Sequence, residues 1–97
     1  MSPAKTILVI GTYDTKDDEL AYICERIHSQ GGKTLTMDVS VLGDPSNPTD
    51  ISKHDVARAA QSSIKAAIES GDENTSMQIM ALGASTLAAQ LCTEQKF

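Results

Sequence analysis

Four consecutive apolar residues, Ile7-Leu8-Val9-Ile10, run straight into Gly11, and a helix-start pattern follows from Thr12 to Glu19. Three of the four are β-branched, and an unbroken apolar run is what a strand buried on both faces requires. Such strands belong to parallel sheets. There the chain leaves each strand at the carboxyl edge, where open α/β folds bind ligands. Gly11 lets the backbone turn, and Thr12 and Thr15 then face whatever docks at that edge. Phosphate is the commonest guest of such a corner, because a helix N-terminus offers unpaired amides and the positive end of its dipole.

The rest of the chain repeats the alternation. After a short start, Met1 to Ala4, the spacing predicts a strand over Lys5–Ile10 and a helix over Thr15–Gln30, with Leu20, Ile23, Cys24 and Ile27 on one face. Thr15-x-x-Asp18 has capping-box spacing, and Gly31-Gly32 stops the helix. A second strand covers Lys33–Val39. A long connection punctuated by Gly43, Pro45, Asn47 and Pro48 leads to one helix from Ser52 to Ser70-Gly71. Gly71–Ser76 reads as a loop and Met77–Leu82 as a third strand. Gly83-Ala84-Ser85-Thr86 makes the next corner, Ala84–Cys92 a last helix, and Thr93–Phe97 a tail. The order βαβαβα predicts a three-layer open parallel sheet, a Rossmann-like half domain, as a single unit over residues 1–97.

Composition narrows the function classes. A net charge of −5 leaves no basic surface for nucleic acid and no cationic helix for a membrane surface. The longest apolar run is far too short to span a bilayer or serve as an export signal, which places the chain in the cytoplasm. Cys24 and Cys92 show no metal spacing and are expected to be small buried hydrophobes. His28 and His54 lack a nucleophile or carboxylate at convincing spacing, so no catalytic residue and no metal cluster is assigned.

Three places remain for a ligand. The turn Gly11, Thr12, Asp14, Thr15 and Lys16 offers a glycine, two hydroxyls and a countercharge. Equally, Gly11 can be only the turn residue, Asp14 the cap and Lys16 a solvated cation. Gly83 and Ser85 are expected on the same edge, where two corners could bracket one anion; a simple glycine turn with a serine cap is the alternative. Asp38 ends the second strand, where an acid can hydrogen-bond ribose, or can merely cap Ser40 or the following turn.

The segments Ile7–Leu20, Met37–Gly43, Pro48–Ser52 and Asp55–Ala57, in this order and spacing, resemble the N-terminal region of proteins related to the tomato mosaic virus resistance protein. The resemblance covers about two thirds of the chain. It implies an ATP-binding α/β fold of two subdomains with the ligand between them. It places the first motif on Gly11, Thr12, Asp14, Thr15 and Lys16 and the second on Asp38. Members of that family are several times longer, so a second subdomain is missing here. Their glycine-dense turn after the third strand is reduced to Gly83 and Ser85. The resemblance therefore implies a partial nucleotide-binding module, with ATP and magnesium bound weakly or not at all. The alternative is a non-catalytic structural or protein-interaction fragment whose partner is another protein or the missing subdomain.

Overall fold

In the computed structural model, which describes residues 5–97, the chain forms β1 (Thr6–Gly11), α1 (Asp17–Ser29), β2 (Lys33–Asp38), α2 (Lys53–Ala59), α3 (Ile64–Glu69) and α4 (Glu73–Thr93). The expected start, Met1 to Ala4, lies outside the described residues. β1 and β2 pair in parallel, with Thr6 opposite Lys33 and Gly11 opposite Asp38. Alternate side chains of a strand leave on opposite faces, which splits the core in two. Val9 packs with Tyr13 and Leu20 beneath α1. Leu8 and Met37 pack on the other side with Val56, Ala57, Ile64, Met80 and Ala84 of α2, α3 and α4. The result is the expected three-layer α/β arrangement, with β1 and β2 as the only strands among the described residues.

The third strand is a correction. Met77–Leu82, and the Gly83–Thr86 corner after it, lie inside α4, a single helix of 21 residues. Asp72 caps it, accepting from Asn74 N at 3.1 Å and Thr75 Oγ1 at 2.8 Å. Met, Gln, Ala and Leu are strong helix formers, and a six-residue apolar run is ambiguous by itself. Over the longer window the period is helical: Met80, Gly83, Ala84, Leu87 and Leu91 form one stripe, packed on α2 or partly buried against its core. The helix expected from Ser52 to Ser70 is likewise two helices. Gln61 takes a left-handed φ of 58° between them, and Ser63 starts α3 by accepting from Ala66 N.

On one side, β2 is covered by the returning connection. Ile51 bridges Met37 in parallel, Asp38 N donates to Ile51 O, and Asp50 Oδ2 accepts from Thr36 N. The far side of β1 has no partner strand among the described residues. Lys5 O and Gly11 O accept from Lys33 N and Val39 N, so the odd-numbered backbone groups face β2. Those of Thr6, Leu8 and Ile10 therefore face the open edge.

Candidate functional site

The carboxyl ends of β1 and β2 deliver two segments to one place: the turn Thr12–Lys16 and the connection beginning at Val39. Backbone and side chains lock them together. Val39 N donates to Gly11 O at 2.9 Å, Tyr13 N to Asp38 Oδ1 at 3.3 Å, and Asp14 N to Ser40 Oγ at 3.1 Å. Gly43 N donates to Asp14 Oδ2 at 3.2 Å and Ser46 N to Asp17 Oδ2 at 3.1 Å. The connection is thus folded back over the start of α1, which is why it is longer than a bare crossover. Thr12 O accepts from both Thr15 N and Lys16 N, closing the turn. α1 begins at Asp17 with Lys16 before it and no side-chain cap, so the expected Thr15–Asp18 capping box does not form.

Tyr13 is buried beneath this corner and donates its hydroxyl to Val9 O at 3.0 Å. Burial, then the neighbouring Cys24 and Asp38, push its phenol well above the ordinary tyrosine range. It stays neutral and serves as a packing residue. Asp38, only 1% exposed, spends Oδ1 on Tyr13 N, Ser40 N and Ser40 Oγ. It organises the corner. Of the two roles the sequence offers Asp38, the structure shows the one in which it caps Ser40, an Asp-x-Ser turn after a strand.

Two clefts open here. The first, about 610 Å³, is lined by Thr12, Asp14 and Thr15 on one wall and by Val39–Leu42 and parts of α3 and α4 on the others. Its body is apolar, with Leu42, Ile68 and Met77 exposed around it. Its charged liners, Asp14, Asp72 and Glu73, are all acidic. Thr12 and Thr15 meet through their hydroxyls at 3.4 Å. The second cleft, about 370 Å³, is lined by Asp38 and by residues from Asp44 to His54. The two share no lining residue.

The structure therefore brings together Gly11, Thr12, Asp14, Thr15, Lys16 and Asp38 at one edge, but Asp38 lines a different cleft from the turn. Gly83 and Ser85 are elsewhere. Gly83 is buried in mid-helix against α2, and Ser85 Oγ is exposed and donates to Leu82 O of its own helix at 3.0 Å. The pairing of two corners on one edge is thus overturned, because no third strand carries the second corner there. Lys53 is a residue the sequence gave no reason to notice. It is 7% exposed and donates to Gly43 O at 2.8 Å and pairs with Asp44 at 2.9 Å. The expected burial of both cysteines is not seen: Cys24 is half-buried and Cys92 exposed. Among the described residues no group of His, Cys, Asp and Glu could hold a metal, and no helix is long and apolar enough to cross a membrane.

Comparison with known proteins adds a family. Residues 5–97 match the N-terminal domain of the uncharacterised protein family UPF0261. A UPF0261 protein of Brucella suis is 49% identical over 85 residues, covering 88% of this chain and 20% of the relative. One from Clostridium tetani is 33% identical over 91 residues, covering 94% of this chain and 22% of its own length. The chain thus spans about a fifth of these relatives. No solved structure matches.

Proposed function

The chain belongs to the UPF0261 family as its N-terminal domain, and from that premise we propose that it supplies half of a nucleotide site, with ATP and magnesium as the ligand. The observation that carries this reading is the cleft of about 610 Å³ at the carboxyl edge, walled by the first strand–helix corner. Thr12 and Thr15 offer hydroxyls, Lys16 a nearby countercharge, and α1 begins without a side-chain cap that would compete for its first amides. The apolar walls suit a base. The resemblance to the tomato mosaic virus resistance proteins supplies ATP as the candidate nucleotide, and the cytoplasm, where ATP is abundant, is the compartment this reading calls for.

Charge sets a condition. With Asp14, Asp72 and Glu73 as its charged liners, the cleft repels a naked triphosphate, and magnesium must neutralise it. Gly83 and Ser85 have no part, and the phosphate contacts they were expected to make must come from outside these residues. Binding by this chain alone is therefore weak. Amide chemical shifts during titration with magnesium-ATP test the reading. Thr12, Thr15 and Lys16 are expected to move with magnesium and to stay still without it. No movement at millimolar nucleotide refutes it for this chain.

A second reading rests on the open edge of β1: a structural half domain that docks on a further strand and binds no ligand. Flat nucleotide titrations combined with self-association in sedimentation would favour it.

A further inference from the structure

The second cleft, about 370 Å³, has a buried carboxylate at its base. Oδ1 of Asp38 takes the three hydrogen bonds from Tyr13 N, Ser40 N and Ser40 Oγ. Oδ2 takes none of them. No fully buried side-chain polar atom lacks a partner among the described residues, so Oδ2 is the oxygen that reaches the cleft. The neighbouring cation offers nothing to an incoming anion. Lys53 has three N–H donors, and Val41 O, Gly43 O and Asp44 Oδ1 already lie at 3.4, 2.8 and 2.9 Å from its nitrogen. Among the described residues Ser46 Oγ has no hydrogen-bond partner, and Thr49 Oγ1 donates to Ile51 O at 2.9 Å, leaving its lone pairs free. Pro45 and Pro48 supply apolar wall.

A carboxylate oxygen at the base of the cleft, two hydroxyl acceptors and a lysine whose donors are already engaged favour a ligand that brings donors and positive charge. We propose that this cleft binds a small organic cation through a primary ammonium group, held by Asp38 Oδ2 with Ser46 and Thr49, its alkyl part against Pro45 and Pro48. A charge-assisted bond to a shielded carboxylate outcompetes a neutral hydroxyl, and the net charge of −5 adds an attractive field. The site does not depend on the nucleotide reading, because the clefts have no wall in common.

Ethylammonium chloride is the probe, followed by amide chemical shifts, with sodium chloride at equal ionic strength and glycerol as comparisons. Saturable shifts are expected at Ser46, Thr49 and His54, with Thr12 and Thr15 unmoved. Asp38→Asn keeps an oxygen for the three internal bonds and turns Oδ2 into a donor. It is expected to weaken ethylammonium binding about tenfold or more, the size of a lost charged hydrogen bond, with Tyr13 and Ser40 amides in place. Should those amides move, Ser46→Ala carries the test, with binding expected to weaken about threefold. Shifts that track sodium chloride overturn the proposal. So does saturation by glycerol alone, or undiminished binding by Asp38→Asn or, where the fold is disturbed, by Ser46→Ala.

Discussion

Gly83 is the residue on which the packing of α4 turns. A Cβ built there would lie 1.9 Å from Val56 O of α2, too close for any side chain unless the helices part. Gly83→Ala is therefore expected to destabilise the fold by about 1–3 kcal/mol, the cost of overpacking a fixed backbone contact. The same change at Gly71, where φ is +64° but nothing lies within 4 Å, acts only through backbone strain. Thermal unfolding of the two variants separates crowding from strain. A glycine before Ala-Ser-Thr reads as a corner in the sequence, and a glycine in a helix contact looks the same. Only the register of Met80, Gly83, Ala84 and Leu87 distinguishes them, and that register becomes visible only beyond the six apolar positions of a strand. Gly11 was legible because its neighbours on both sides say the same thing: β-branched residues before it, acids of a first helical turn after it.

Among the elements, α2 and α3 and the connection before them hold the features that patterning hides. The apolar stripe from Val56 to Ile68 runs through the break at Gln61, so periodicity alone joins the two helices. What ends α2 is a left-handed residue with φ 58°, a conformation glycine adopts freely and glutamine does not. Gln61→Gly is expected to stabilise the chain by up to about 1 kcal/mol in denaturant unfolding. The connection is held by Lys53, whose stem is buried and whose charge is met by Asp44 and two carbonyls. Nothing in a lysine following a serine cap announces this. Lys53→Met keeps the packing and removes the charge, so stability is expected to change by no more than about 1 kcal/mol while Gly43 and Ser46 amides exchange faster. Lys53→Ala also opens a void and is expected to cost more. The Asp44 carboxylate is held below the ordinary aspartate range by its hydrogen bond to Lys53 and by that charge. A depressed folded value means the tie is intact above the ordinary aspartate range and is lost as pH falls through the lowered one. Hydrogen exchange of the connection is expected to quicken only in that acid window.

For the whole molecule, extents of 50 × 29 × 18 Å describe an elongated slab. The α/β class and the first βαβ unit are readable from residue order alone, since each strand carries its own turn and cap. What surrounds β1 is not. Ile7-Leu8-Val9-Ile10 asks for cover on both faces and both edges, yet Ile7 and Ile10 remain 45% and 43% exposed. In relatives of which this chain is about a fifth, a great deal of further chain is available to supply that cover. Alone, the edge is expected to bind its own kind: sedimentation at rising concentration should show a weak dimer, and Ile10→Lys should abolish it with little loss of stability.

The outer side of β2 decides how far such association can go. Asp50 and Ile51 already occupy the backbone groups of Thr36 and Asp38, so among the described residues the flank of β1 is the vacant one. Two vacant flanks facing each other about a twofold axis use each other up, leaving nothing for a third molecule to join. The isolated chain should therefore stop at pairs instead of growing into fibres.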